Sequence, residues 1–200
     1  MSKHTELKRF YNNNKLEAGI DEAGRGPLFG AVFIGAAILP PGDDFNHSLM
    51  RDSKKLSQRK RVIAYDYIKE NAVDWSVFSY DEKKIDEINI LNASIMAMHN
   101  SISRLKKVEF ISVDGNRFKT FKSTPHQTHV KGDCKFQNIA AASILAKTYR
   151  DSYMNKIHEE YPMYNWKQNK GYPTKEHREA IKNYGTTKYH RMSFRLLAEK

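Results

Sequence analysis

Four acidic residues follow or precede predicted elements in a way that could build one site. Asp21 and Glu22 end a short apolar segment near the start of the 200-residue chain, and Asp114 ends another, FISVDG. Asp133 lies in VKGDCK, directly before a predicted helix. Sites in α/β sheets collect beyond strand ends, so acids that are distant in sequence can meet there. Carboxylates brought together repel one another, and without a cation some of them would bind protons.

Mg²⁺ and Mn²⁺ are the ions that such a group of acids favours, because hard cations prefer oxygen ligands. Histidine or cysteine ligands would favour zinc, but no His or Cys pair has a suitable spacing. Two such ions about 3.5–4 Å apart activate water and stabilise a leaving oxygen in phosphodiester cleavage. The alternative is that the acids are turn residues, N-caps and surface charges. Spacing alone leaves both interpretations open.

The charge of the chain favours a polyanionic partner. It has 34 Lys and Arg against 23 Asp and Glu, a formal net charge of +11. Nucleic acid is the first candidate, because each phosphate that a protein neutralises releases counterions. A basic surface with no partner is the alternative.

Three features of the sequence indicate its compartment and its relation to membranes. The single cysteine, Cys134, excludes an internal disulfide and a cysteine-rich zinc site. The N-terminal segment MSKHTELKRFYNNNK has no hydrophobic core of a signal peptide. The longest apolar stretch, GAVFIGAAIL, is too short to span a bilayer. We therefore expect a cytoplasmic protein with no membrane partner.

Apolar periodicity predicts strands alternating with helices. The predicted strands are 16–21, 30–39, 74–80 and 110–115, and the predicted helices are 57–71, 85–105, 138–154 and 173–185. The Gly-rich segment 24–30 joins the first two strands and has the length of a hairpin connection that carries function. Small residues in the helix at 138–154 would let it pack close to a sheet. This order predicts a mixed α/β domain whose helices cover a central sheet.

Seven motifs, taken in order, resemble those of type 2 ribonuclease H of the bacterial kind, ribonuclease HII. They are GIDEAGRGPL, DSKKLS, VDGN, KGD, IAAASILAK, KGYPTKEH and HRMSF, and they run from residue 17 to residue 194. The resemblance implies an RNase H-like fold, a mixed sheet of about five strands flanked by helices. It also implies a catalytic domain at 1–158 and a C-terminal helical extension at 159–200 packed on it.

The same resemblance implies an endonuclease that hydrolyses the RNA strand of RNA–DNA hybrids. Members typically also cut on the 5′ side of a single ribonucleotide embedded in duplex DNA, leaving a 5′-phosphate and a 3′-hydroxyl. The catalytic and metal-binding acids of the family fall on Asp21, Glu22, Asp114 and Asp133, with Mn²⁺ or Mg²⁺ as cofactor. The implied partners are hybrids and ribonucleotide-containing duplex DNA, in replication and repair, and the implied state is a monomer.

The glycine–arginine–glycine element of the family falls on Gly24, Arg25 and Gly26. An enzyme for RNA within DNA must detect the 2′-hydroxyl group, and backbone groups can bond it where no Cβ blocks their approach. Arg25 would hold phosphate or orient the loop. Tyr172, in KGYP, matches a family tyrosine that resembles a stacking platform for the sugar beside the cut. The alternatives are a glycine turn with a surface arginine, and a tyrosine that packs the helical tail.

Other residues have two interpretations each. Four cations are either phosphate contacts or solvated charges: Lys54, Lys55, Lys147 and Arg191. His190 would shuttle a proton or, as we favour, play a structural, hydrogen-bonded role.

The sequence departs from the usual family pattern in two places. Phe29 and Ala31 stand where many members have alanine and proline, and we expect Phe29 to pack against the tail or to shift the loop. Cys134 stands where Ser or Ala is common, and a free thiol there could bind soft metals or oxidise. The C-terminal SFRLLAEK has no Gln-Xaa-Xaa-Leu clamp-binding sequence, so docking on the sliding clamp is doubtful.

Two rival functions remain at this point. One is a related two-metal nuclease or transposase-like enzyme that cuts DNA only, against which the Gly24–Gly26 element argues. The other is a nucleic-acid binder without catalysis, in which the acids are structural. Cleavage of DNA alone would support the first, and metal-independent binding without cleavage would support the second.

Overall fold

Five strands form one mixed sheet in the computed structural model, which describes residues 7–51, 53 and 56–197. Their order across the sheet is β3–β2–β1–β4–β5. The strands β1, β2 and β3 form an antiparallel meander, while β4 and β5 run parallel to β1. The bounds are β1 Glu17–Ala23, β2 Val32–Ile38, β3 Asp74–Tyr80, β4 Phe110–Asp114 and β5 His126–His129.

The helices follow the predicted order, and side-chain caps fix several of their starts. They are α1 Gln58–Asn71, α2 Glu82–Ser103, α3 Gln137–Glu160, α4 Trp166–Asn169 and α5 Lys175–Tyr184. Ser57 accepts a hydrogen bond from the Lys60 amide, and Thr174 accepts one from the His177 amide. Each cap satisfies a backbone donor that has no partner in the first turn of the helix.

Helix α3 lies directly on the backbone of the sheet. A Cβ atom on Gly19 would come within 2.2 Å of the Asn138 carbonyl carbon, and one on Gly35 within 2.1 Å of the Ala142 carbonyl oxygen. The close packing that the small residues of this helix predict is therefore confirmed. The opposite face of the sheet packs side chain to side chain against α2, with Ile20 in its core.

The fold class is confirmed, and the differences lie in short or polar elements. Strand β5 has the sequence HQTH, which lacks the alternation of apolar residues that reveals a strand, and it lies at the sheet edge. Helix α3 continues six residues beyond its predicted end at 154. It therefore passes through the predicted domain boundary at 158, and that division of the chain stays a prediction. Within the described ranges, no helix has the length and apolarity needed to cross a membrane.

Aromatic residues of the C-terminal segment pack against the connection between β1 and β2. Phe29 is fully buried, and its ring stacks on Trp166 with the centroids 3.6 Å apart. This confirms the first of the two outcomes expected for Phe29. The Trp166 indole N–H donates to His177 Nε2 at 2.9 Å. The C-terminal segment is thus joined to the connection between β1 and β2 by a buried aromatic cluster.

His190 lies inside this cluster, where it plays the structural role favoured from the sequence. Its Nδ1 accepts a hydrogen bond from the Thr187 amide at 2.9 Å, and its ring contacts Phe29 and Trp166. Burial and, to a smaller extent, the neighbouring His177 lower the pKa of His190 from 6.5 to about 4.

We predict that His190 makes the protein lose stability as the pH falls from 6.5 towards 4. In that interval the unfolded state binds a proton on His190 that the folded state does not, so unfolding becomes more favourable, by up to about 3 kcal/mol. Urea unfolding between pH 7 and pH 4.5 measures this. In His190→Asn the amide oxygen can still accept from Thr187 but does not titrate, so we expect a flatter dependence. Equal slopes for the two proteins would contradict the prediction.

Candidate active site

Asp21 and Asp114 lie side by side on the central strands of the sheet. Ile20 of β1 pairs with Val113 of the parallel strand β4, which makes the next residue of each strand a neighbour of the other. Strand β1 does not end at Asp21, as the sequence predicted, because Glu22 and Ala23 continue the pairing with β2. The sheet register therefore brings together two acids that are 93 positions apart.

The Asp21 carboxylate is buried and held in place from two sides. It is 5% exposed, and its Oδ1 accepts the Glu22 amide at 2.7 Å. The Ser143 hydroxyl on α3 also donates to it. Burial raises the pKa of Asp21 well above its ordinary value, and the charges of Asp114 and, more weakly, Asp133 raise it further. Its charged form therefore needs a nearby cation.

Asp133 reaches the same place through a tight turn. The Asp114 carboxylate accepts the Gly132 amide at 2.6 Å, at the start of the 3-10 turn Gly132–Cys134. Lys131, just before this turn, has a left-handed backbone with φ 56°. Asp133 is buried and adds to the negative field on Asp21. Cys134, beside it, is exposed.

Glu22 is partly buried at the rim of the site and is paired with Arg25. One Arg25 guanidinium nitrogen lies 3.3 Å from its Oε1. Burial raises the pKa of Glu22, Arg25 opposes this rise, and the charge of Asp114 adds to it. Arg25 is itself 40% exposed on its side chain. It orients the rim of the site and still faces solvent.

The donor chemistry of these acids fits a hard divalent cation, although they do not form a closed cage. Across the described part of the chain, no three His, Cys, Asp or Glu side chains are grouped closely enough to hold a metal ion by themselves. The available donors are carboxylate oxygens, which suit Mg²⁺ or Mn²⁺ better than zinc. The mutual repulsion at Asp21 is what a cation would relieve.

The connection between β1 and β2 is held by one buried side chain, Arg191. Its guanidinium donates to four backbone carbonyls, those of Gly24 at 2.6 Å, Arg25 at 3.0 Å, Pro27 at 2.8 Å and Gly30 at 2.8 Å. Arg191 has no exposed surface. Its assignment as a phosphate contact or a solvated charge is therefore wrong, because the side chain is shielded from solvent and four of its five N–H groups donate to the loop.

The glycines of this loop, which we call the recognition loop (residues 24–30), meet different constraints: Gly24 admits no side chain, whereas Gly26 has room for one. Gly24 has φ 95°, and a Cβ there would come within 2.3 Å of the buried Arg150 side chain. At Gly26 the nearest atom to a Cβ position is Cε1 of Tyr172, at 3.6 Å. Tyr172 is 48% exposed. The loop therefore presents bare backbone next to an accessible aromatic ring.

Arg191 leaves the backbone of Gly26, which is exposed, without a hydrogen bond within the described part of the chain. The carbonyls of Gly24, Arg25, Pro27 and Gly30 accept from it, and the Leu28 carbonyl accepts the Arg191 amide. The amide and carbonyl of Gly26 bond to no other described residue.

Three other cations were expected to contact phosphate or to be solvated, and the structure describes one of them. Lys147 is half-buried and donates to Asp151 at 2.6 Å, and Asp151 also binds Arg61 at 2.8 Å. A phosphate role for Lys147 stays a prediction. Lys54 and Lys55 lie outside the described residues.

Sequence reasoning missed a short serine relay beside the site. Ser53 and Ser143 lie with their hydroxyl oxygens 2.9 Å apart. A hydrogen bond between Ser143 and Asp21 continues this contact to the buried acid. Ser53 lies in the motif DSKKLS and Ser143 in IAAASILAK. Their presence in these motifs is the only feature of the sequence that could have indicated the contact. The relay connects the DSKKLS segment to the buried acid.

Comparisons with known proteins agree with this geometry. A family model described as Ribonuclease HII matches residues 18–197. Ribonuclease HII of Bacteroides fragilis is 54% identical over 194 residues, which cover 96% of each chain. The crystal structure of ribonuclease H2 from Pyrococcus horikoshii has a TM-score of 0.75 and 25% identity, covering 90% of this chain and 94% of that one. Bst-RNase HIII in complex with Mn²⁺ has a TM-score of 0.69 at 15% identity, covering 97% of this chain and 69% of that one.

We predict that Arg191→Lys destabilises the protein by about 3 kcal/mol, because an ammonium group cannot reach four carbonyls and leaves buried acceptors unpaired. Chemical denaturation measures the loss. Arg104→Lys is the matched control, since Arg104 is exposed and donates to a single carbonyl, that of Val77. If the two variants were equally stable, the recognition loop would not depend on the guanidinium.

Proposed function

The chain belongs to the ribonuclease HII family and is a ribonuclease H acting on RNA–DNA hybrids, and on that premise we propose that it also cuts at single ribonucleotides embedded in duplex DNA. The cut falls on the 5′ side of the ribonucleotide and leaves a 5′-phosphate and a 3′-hydroxyl. The observation that carries this proposal is the exposed Gly26 of the recognition loop, whose amide and carbonyl bond to no other described residue and lie beside Tyr172.

The Gly26 peptide group is suited to bind a 2′-hydroxyl. A hydroxyl both donates and accepts, and a peptide group offers one acceptor and one donor. With no Cβ on Gly26, a sugar can approach the backbone closely. Arg191 holds the neighbouring carbonyls from behind, so the geometry of this contact is set before substrate binds. A deoxyribose at the same place would leave the peptide group unpaired.

Tyr172 is the proposed platform for the sugar beside the cut. Its ring is accessible, while its backbone is fixed because its carbonyl accepts from His177 Nδ1 at 3.0 Å and from the Thr174 amide at 2.8 Å. A fixed aromatic face excludes bulk next to the recognition loop. Stacking of this kind contributes on the order of 1–3 kcal/mol per base in single-strand binding.

The four acids are the proposed metal ligands. Asp21 and Asp114 would hold divalent ions between them, with Glu22 and Asp133 completing and orienting the set, and Mn²⁺ is the ion seen with Bst-RNase HIII. Two such ions, Mn²⁺ or Mg²⁺, would supply an activated water and stabilise the departing 3′-oxygen. Ser143 and the Glu22 amide keep the Asp21 carboxylate in a fixed orientation.

The wider setting of the activity is also a proposal. The net charge of +11 favours binding to the phosphate backbones of hybrids and of ribonucleotide-containing duplex DNA. We place the protein in the cytoplasm, as a monomer, in DNA replication and repair.

We predict that Asp114→Asn lowers cleavage of a labelled duplex carrying one ribonucleotide by at least about a thousandfold, while hybrid binding is kept, because catalysis needs the carboxylate and binding rests mainly on phosphate contacts. Reactions in Mg²⁺, Mn²⁺ and EDTA, resolved on a sequencing gel, measure the cut and its position. Asp66→Asn, on the exposed face of α1, is the control.

Near wild-type cleavage by Asp114→Asn would remove Asp114 from the site. Cleavage of a duplex without ribonucleotides would support the DNA-only rival. Cutting of a long hybrid, but not of the single-ribonucleotide duplex, would leave the family activity intact and reject the finer proposal.

We predict that Tyr172→Ala lowers kcat/KM on the single-ribonucleotide duplex by about 10- to 100-fold, while Tyr172→Phe keeps most of the activity, because the ring face makes the proposed contact. Steady-state cleavage rates measure both. Tyr184→Ala is the control, since Tyr184 is also exposed but belongs to the far end of α5. Equal activity of the Ala and Phe variants at position 172 would reject a stacking role.

A further inference from the structure

The two residues that follow Arg191 are held by an acid from a distant part of the chain. Asp86, on α2, accepts the Met192 amide through Oδ2 at 2.8 Å. Its Oδ1 accepts both the amide and the hydroxyl of Ser193, at 2.9 and 2.5 Å. Three donors from two consecutive residues therefore meet one carboxylate, and the backbone beside Arg191 is fixed by it.

From these contacts we propose that Asp86 is a positioning residue for ribonucleotide recognition, acting through residues 192–193 and Arg191 on the recognition loop. The proposal rests on the function proposed above. The hydrogen bonds of Asp86 go to Met192 and Ser193, outside the recognition loop. Its effect passes through the backbone that carries Arg191, and from the guanidinium to the carbonyls on either side of Gly26.

Asp86 sits on a piece of helix that is separate from the rest of α2. Asn89 interrupts the helix with φ 64° and ψ 162°, and its side chain caps the next segment by accepting the Asn92 amide at 3.0 Å. Residues 82–88 are therefore a short segment with their own cap at Asp81. The break sets the orientation of this segment independently of the long helix behind it.

The same segment carries two acids, Asp86 and Glu82, whose charges act on Arg191. None of the ion pairs between described residues includes Arg191, and its four guanidinium bonds all go to neutral carbonyls. Burial lowers the pKa of this guanidinium, while the charges of Asp86 and Glu82 oppose the shift. A buried cation without a paired anion is costly, and the charges of these two acids offset part of that cost.

Loss of this support should affect the two substrates unequally. On a long hybrid every nucleotide of one strand has a 2′-hydroxyl, and many registers give a cut. On a duplex with one ribonucleotide a single register is productive, so a displaced Gly26 peptide group has a larger effect.

Asp86→Ala is the test, with Glu87→Ala as the matched control. Glu87 is the next residue, is exposed and forms an ion pair with Lys84. Two properties are measured on each protein: hydrogen–deuterium exchange of peptides covering 24–30, and kcat and KM on the hybrid and on the single-ribonucleotide duplex. The amides of Leu28 and Gly30 report on the loop, because they donate to the carbonyls of Gly171 and Tyr189.

We expect faster exchange in 24–30 for Asp86→Ala and a loss of kcat on the single-ribonucleotide duplex at least tenfold larger than the loss on the hybrid. Ser193→Ala, which removes only one of the three donors, should show the same pattern more weakly and serves if Asp86→Ala does not fold. Exchange equal to that of Glu87→Ala, or equal losses on both substrates, would overturn the proposal. Exchange does not depend on activity, so a wild-type protein that fails to cut the single-ribonucleotide duplex would reject the proposed function and leave this contact testable.

Discussion

A buried guanidinium, that of Arg191, is the interaction on which the site depends. A charge in the protein interior is tolerated only where it is well hydrogen-bonded, and here four backbone carbonyls of one loop accept from the guanidinium. The same bonds satisfy carbonyls that a glycine-rich turn cannot pair with itself. Loop and arginine therefore require each other: neither is stable in this conformation alone. That mutual need ties the C-terminal segment to the connection between β1 and β2.

A second constraint acts on the other side of the site, where α3 touches the sheet without intervening side chains. Gly19 and Gly35 allow the helix to approach, and this approach places the Ser143 hydroxyl against the Asp21 carboxylate. The acid is thus oriented by a helix, while the recognition loop is oriented by the tail. Two separate contacts therefore set the distance between the recognition loop and the buried acid.

The sequence could predict those parts of the fold that periodicity and caps report. Short apolar runs located β1, β2 and β4, together with the acids that follow the runs of β1 and β4, and Ser57 marked the start of α1. Strand β5 was not predicted, because an edge strand made of polar residues has no pattern of apolar residues. The break in α2 at Asn89 was not predicted either, because the apolar residues keep their helical spacing across it.

Side-chain roles were harder to predict than elements, because burial is decided by the tertiary fold. The sequence does not distinguish a buried arginine that bonds carbonyls from a surface arginine that contacts phosphate. Arg191 was therefore misassigned. Asp86 gave no signal for the same reason, since its partners are backbone amides more than a hundred residues away. Where motifs carried the assignment, as for Gly26 and Tyr172, the structure brings the named residues next to each other.

The two faces of the sheet differ in how much sequence change they can absorb. Against α2 the contact is made by interlocking aliphatic side chains, and a change in the size of one can be met by rotamer changes in its neighbours. Against α3 the contact is backbone on backbone, and no side chain at Gly19 or Gly35 is available to adjust. A methyl group added there must push the whole helix outward, and Ser143 would move away from Asp21 with it. Substitutions are therefore tolerated on the face of the sheet that packs against α2, but not at the glycines of the face that holds the buried acid.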